Sequence, residues 1–236
     1  MEIIPHVYQI TSPVVNIPLI AEEELTLVDT GMPGSSSRII NFIHSLGRSA
    51  EEITLIIITH NHLDHIGGLA GLRKFTKAKV ALHKADINAV DNKSAYPKAL
   101  GWLLHIPPFS ALRPLLYPRP HQIDIELEGG EILSPLGGLK VIHTPGHTPG
   151  SISLFFPQKK LLIVGDALNN SFRRLSLPPK LSSADLTQDL DSVRRIARLD
   201  FDTLCFGHGK PLTKHASAKV QDLIRRQGDE VNGSVV

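Results

Sequence analysis

The sequence predicts an α/β protein. Three observations point there. Apolar strand-like runs alternate with helical stretches through residues 6–83, ITLIIIT at 53–59 is apolar almost without a break, and strand-like runs return from residue 123 onward.

Taken in order, HVYQI, NIPLI and LTLVDTG (25–31) read as strands. RIINFIHSL follows, with Ile39, Ile40, Ile43 and Leu46 at helical spacing, and Gly47 is placed to end that helix. ITLIIIT has the pattern of a strand covered on both faces. IGGLAGLRKF reads as a short helix and AKVALH as the next strand. Residues 84–122 carry Pro97, Pro107, Pro108, Pro114, Pro118 and Pro120 around Trp102 and Phe109, which indicates a helical insertion with a proline-rich return. Such an excursion either caps the core, lines a substrate pocket or serves as a dimer contact. The strands IDIEL, GGEIL, LKVIHT, SISLFF and LLIVGD come next. A helix over 185–199 is expected to turn Leu186, Leu190, Val193, Ile196 and Leu199 to one face, before the strand DTLCF, the turn GHGKP and a last helix near 215–227.

LTLVDTG and LLIVGDA each end an apolar strand with aspartate beside glycine, and LIIITH and LKVIHT each end one with histidine. These pairs suggest two similar halves packed face to face with a shared site at their strand ends. No linker separates them, so the 236 residues are read as one domain.

Composition narrows the function. Apolar residues at 42% and charged residues at 20% are those of an ordinary globular protein, and a formal charge of +2 is too small to argue for nucleic acid. The one cysteine, Cys205, rules out a disulfide framework within the chain and disfavours thiolate metal sites. MEIIPHVYQI lacks the features of a signal peptide, and no apolar run approaches the roughly 20 residues that span a bilayer, so a cytoplasmic protein is expected.

The chemistry concentrates in THNHLDHIGG (59–68). Imidazole and carboxylate are ligands for zinc, and also for iron or manganese. His60 and His62 alternate and can point the same way just past a strand, while Asp64 and His65 can face a second point nearby. The spacing therefore suits two metal positions. His147 in TPGHTPGS, Asp166 in LLIVGD and His208 in GHG each close an apolar strand or turn beside glycine. Together they bring the set to five histidines and two carboxylates, three ligands per metal plus one able to bridge. A closed structural zinc site would use four ligands, often cysteines. His83, His105 and His143, which stand alone, are read as ordinary hydrogen-bonded core or surface histidines.

With those residues in view, the chain resembles the metallo-β-lactamase-fold hydrolases. LVDTG (27–31), THNHLDHIGG, TPGHTPGS, VGD and FGHG occur in that superfamily's order over nearly the whole chain. The resemblance implies a four-layer αβ/βα sandwich with a dinuclear site at one edge. It implies that His60, His62 and His147 hold the first metal, that Asp64, His65 and His208 hold the second, and that Asp166 bridges them. Asp29 would order the ligand loop, and Asp64 would also shuttle a proton. The cofactors expected are two divalent ions, zinc first, with iron or manganese as alternatives. Water held there ionises near neutral pH, so a metal-bridging hydroxide would attack an ester, thioester or lactone of a small molecule.

Departures from the subfamilies prune the choice. True β-lactamases lack an aspartate in the Asp166 role, and flavodiiron oxidoreductases carry a glutamate where His62 stands. Hydroxyacylglutathione hydrolases share THNHLDHIGG but not ALNNSFRR (167–174). The acyl-homoserine-lactone lactonases are similar in size and in TPGHTPG, with a tyrosine where this chain has Asn169. Persulfide dioxygenases use one metal and need no second set. The alternative is a phosphodiesterase or nuclease of the ribonuclease Z kind. It would need a basic surface, for which Lys159, Lys160, Arg173 and Arg174 are the candidates, and a solvated face is the simpler account of them.

Overall fold

The computed structural model describes residues 1–12, 14–89, 107 and 123–233. Two sheets lie face to face. The first runs β1 (Glu2–Ile4), β2 (Val7–Thr11), β3 (Asn16–Ala21), β4 (Leu25–Val28), β5 (Ile53–Ile57), β6 (Lys79–His83) and β7 (Ile125–Leu127), in sequence order. Its first four strands are antiparallel, and β4 to β7 are parallel. The second sheet is ordered β12 (Thr203–Cys205), β11 (Leu161–Ile163), β10 (Ile152–Phe156), β9 (Leu139–His143) and β8 (Ile132–Leu133). It is antiparallel from β8 to β11, and β12 joins β11 in parallel.

Alternation along each strand builds three cores. Ile20 of β3, Ile57 of β5 and Ala81 of β6 face the second sheet, where they meet Val141 of β9, Leu154 of β10 and Ile163 of β11. The other face of the first sheet presents Leu19, Ile56, Val80 and Leu82 to the helices α1 (Ser36–Ser45) and α3 (Leu69–Leu72). The outer face of the second sheet presents Phe155, Leu162 and Leu204 to α5 (Leu186–Ile196) and α6 (Ala216–Gly233). Helix, sheet, sheet, helix: this is the four-layer αβ/βα sandwich that the resemblance implied. The remaining helices are α2 (Leu63–Ile66) and α4 (Lys84–Ala89). The helical insertion expected over 84–122 begins as α4. Trp102, His105 and Phe109 lie outside the described residues. No helix among the described residues is long and apolar enough to cross a membrane.

The two halves correspond differently from the expectation. β4, which Asp29 follows, leads through α1 to parallel β5, and β11, ending near Asp166, leads through α5 to parallel β12. The counterpart of LIIITH is therefore DTLCFGH on β12. LKVIHT is β9, an antiparallel strand.

α5 also departs from the reading of its sequence. Asp185 caps it, accepting from the N–H groups of Thr187 (2.9 Å) and Gln188 (3.1 Å). It ends at Ile196, and its buried residues are Asp189, Ser192, Val193 and Ile196, while Leu186 is exposed. Polar groups occupy that face because the 144–151 loop packs on it: Ser192 Oγ donates to the Pro145 carbonyl at 2.7 Å, and Gly146 lies directly over Asp189.

Burial pushes the Asp189 carboxyl up to about 6, against the lowering effect of the nearby Ser183 hydroxyl and His147 N–H. The unfolded value is about 4. The folded chain therefore holds this proton more tightly. The stability it contributes is complete below about pH 4 and is lost as pH rises toward about 6. Asp189→Asn is expected to remove that loss, seen as a flatter dependence of melting temperature on pH across this window.

Candidate metal centre

All seven residues singled out in the sequence meet at one edge of the sandwich. β5 delivers His60 and His62 just beyond its last residue, because the apolar run ends there and the chain leaves the sheet. His62 stands at the N-terminus of α2, whose single turn carries Asp64 and His65. Asp64 and His65 were expected at a turn, and the turn is helical. His147 comes from the β9–β10 loop, Asp166 follows β11, and His208 follows β12.

Their ligating atoms form three overlapping groups, each within 4.8 Å: His60, His62 and His147; His60, His65 and Asp166; Asp64, His65 and His208. In the first, His62 Nδ1 lies 3.1 Å from His60 Nε2 and 2.9 Å from His147 Nε2. In the third, Asp64 Oδ2 lies 3.3 Å from His208 Nε2 and 3.8 Å from His65 Nε2. Asp166 stands between them. Its Oδ2 is 3.2 Å from His208 Nε2 and 3.4 Å from His147 Nε2, and its Oδ1 is 3.4 Å from His65 Nε2.

The far side of three of the rings fixes which nitrogen faces inward. Asp29 Oδ2 accepts from His65 Nδ1 at 2.8 Å. The Val14 carbonyl accepts from His208 Nδ1 at 2.7 Å. Thr59 Oγ1 donates to Asp29 Oδ2 at 2.9 Å, so it accepts from His60 Nδ1 at 3.1 Å. In each case Nε2 is the nitrogen left pointing into the cluster. Asp29 holds this arrangement from a left-handed backbone conformation (φ 62°) and also takes the Thr59 N–H at 2.7 Å. Thr30 secures the His65 carbonyl through its N–H at 2.6 Å and its hydroxyl at 2.9 Å. Asp29→Ala is expected to weaken metal binding at the His65 side roughly 10–100-fold. A competitive zinc titration measures it, and wild-type affinity would remove the ordering role.

The donor set fits cations. Several lone pairs converge at about 3 Å, and His65 Nε2 and Asp166 Oδ1 are buried with no hydrogen-bond partner among the described residues. Electrostatics divides the cluster. Burial and neighbouring imidazoles lower the pKa of His60 well below its ordinary value, burial and His147 lower that of His62 to about 3, and burial lowers that of His147. This half presents neutral imidazoles. In the other half burial opposes charge, but carboxylates prevail. Asp166 and Asp29 raise His65 well above its usual range, and Asp166 and Asp64 raise His208 to about 10. For Asp64, burial is outweighed by His208 and His65, and its carboxyl falls to about 2. Asp166 is likewise held well below the carboxylate range by His65, His208 and His147 despite its burial.

One edge of the cluster is open. The side chains of Asp64 and His208 are each 25% exposed, against 0% for His65 and 1% for His60. Reading the sequence did not find the Val14 carbonyl, the Thr59 hydroxyl or the role of Gly207. Thr59 and Gly207 stand next to predicted ligands, which was the available signal, whereas Val14 reaches His208 from 194 residues away.

The isolated histidines behave as expected where they are described. His83 Nε2 donates to the Glu128 carbonyl at 3.0 Å, His143 Nε2 donates to that of Pro149 at 2.9 Å, and the two rings stack. Among the basic candidates, Lys159 and Lys160 sit where β11 begins, at the end of that strand away from Asp166, and Lys160 pairs with Asp200 at 3.0 Å. Arg173 and Arg174 are exposed.

Residues 11–208 match the family model of the Metallo-beta-lactamase superfamily. The chain belongs to that superfamily. A probable metallo-hydrolase, YflN of Bacillus subtilis (strain 168), is 30% identical over 85% of this chain and 81% of its own length. An N-acyl homoserine lactonase of a Bacillus species is 25% identical over 79% of this chain and 77% of its own length. In fold, the chain is similar to a metallo-beta-lactamase family protein from Thermus thermophilus, with a TM-score of 0.73 and 23% identity, covering 98% of this chain and 82% of that one.

Proposed function

We propose that this protein is a metal-dependent hydrolase that cleaves an ester, thioester or lactone of a small molecule. The first metal would be held by His60, His62 and His147, the second by Asp64, His65 and His208, with Asp166 shared. The observation that carries this is the position of Asp166, whose carboxylate faces histidines of both triads within 3.4 Å. Bound divalent ions, zinc first, would bring the pKa of water toward neutrality and polarise the scissile carbonyl.

The chain's own residues supply the rest. Substrate approaches from the open edge, where Asp64 and His208 are reachable. Asp64, ionised at neutral pH, is the carboxylate at that edge that would take a proton and return it to the leaving group. A cavity of about 660 Å³ beside His208, lined by Ser12, Val14, Ser171 and Lys210, is of a size suited to small molecules. The lactonase relative adds weight to acyl substrates. Asn169 Oδ1 accepts from the Ser171 N–H at 2.7 Å, so it is engaged in closing its own loop.

The test is an assay of zinc- and manganese-loaded protein against lactones, thioesters, aryl esters and a nitrophenyl phosphodiester. Turnover of an acyl substrate is expected. Turnover of the phosphodiester alone would overturn the acyl assignment and recast Arg173 and Arg174 as phosphate contacts.

A further inference from the structure

We propose that Asp86 is the positioning residue of the first triad, tying the loop that bears His60 and His62 to the loop that bears His147. The assignment rests on the two-metal reading and adds to it a residue that touches neither metal position.

Asp86 lies on α4 and is fully buried. Its Oδ2 accepts from the Asn61 N–H at 2.8 Å and from the Thr148 hydroxyl at 2.8 Å, and its Oδ1 accepts from the Gly150 N–H at 2.6 Å. Asn61 Nδ2 also donates to the Asp86 carbonyl at 3.3 Å. All these donors are uncharged. A buried carboxylate that no cation among the described residues bonds is costly, and it persists where several donors converge on it. The donors are informative in their positions: Asn61 sits between His60 and His62, and Thr148 follows His147. One side chain therefore sets the distance between the two segments that supply the three imidazoles. Gly150 permits the approach, since a Cβ there would stand 2.5 Å from the Asp86 nitrogen and 2.6 Å from its Cγ.

The second triad has different supports. His65 is held by Asp29 and Thr30, and His208 by the Val14 carbonyl. Among the described residues Asp86 is hydrogen-bonded to none of these groups, so its effect is expected at one metal position. A residue needed only for folding would not discriminate between them.

The experiment isolates each position in the full-length chain. His208→Ala disables the second triad and leaves the first, and His62→Ala does the reverse. Zinc affinity is measured by competition in each background, with the melting temperature of the metal-free protein alongside. Asp86→Asn keeps the shape of the side chain but turns an N–H group toward a donor. It is expected to lower affinity roughly 10–100-fold in the His208→Ala background. In the His62→Ala background affinity should stay within about twofold, as for distant, independent sites. Thr148→Val removes one of the three donors and should shift affinity in the same direction; it serves if Asp86→Asn does not fold. Equal losses in both backgrounds, or no loss in the first, overturn the assignment of Asp86 alone. Failure of the wild-type chain and of both backgrounds to take up zinc overturns the two-metal reading, and this assignment with it.

Discussion

Asp166→Ala is expected to leave a folded chain that no longer holds two metals, with turnover of its best acyl substrate reduced by about 10³. Among the described residues, Asp166 is the carboxylate that faces histidines of both triads, at 3.2 Å from His208, 3.4 Å from His147 and 3.4 Å from His65. Removing it leaves five imidazoles with Asp64 as the one remaining carboxylate of the set, so the negative charge available to two divalent ions is halved. The Lewis-acid contribution of such ions is several kcal/mol, and each 1.36 kcal/mol is about tenfold in rate, which gives the magnitude. The fold should survive, because the three cores are built from other residues. Asp166→Asn keeps the shape without the charge and should fall between. Metal content by mass spectrometry and kcat/KM on the same preparations decide it. Two metals and undiminished turnover in the alanine variant would remove Asp166 from between the triads.

The layered fold was legible because its signals are local. Largely apolar runs in β3, β6 and β10 report strands buried on both faces, and a histidine at the end of an apolar strand reports a strand-end site. Legibility failed where a residue serves a distant loop. Asp189 and Ser192 interrupt the apolar face of α5 because the 144–151 loop rests on them, and Leu186 faces solvent instead. No motif in the sequence marks Asp86, and its three donors come from 25 to 64 residues away. The Val14 carbonyl has no side-chain signature at all. Side chains that act as ligands announce themselves by type and clustering; groups that hold ligands in place are defined by packing, which local pattern does not carry.

Gly207→Ala should be nearly as damaging as loss of Asp166, although it removes no ligand. A Cβ on Gly207 would stand 2.1 Å from Asp166 Oδ1 and 2.7 Å from His65 Cε1, with the Gly165 carbonyl at 3.3 Å. The backbone cannot back away: the Gly207 N–H donates to the Gly165 carbonyl at 2.8 Å, and the Gly207 carbonyl accepts from the Asn16 N–H at 2.8 Å. His65 is pinned from behind by Asp29 and Thr30. The methyl group must therefore displace the Asp166 carboxylate, which faces histidines of both triads. Overpacking of this kind costs about 1–3 kcal/mol in stability, a drop of about ten degrees or less in melting temperature for a chain of this size. The metal-free variant should thus fold and melt somewhat early, while its zinc-induced rise in melting temperature largely disappears. Comparing melts with and without zinc separates the two effects. A variant that gains as much from zinc as the wild type would mean that Asp166 and His65 do not share a metal position beside Gly207.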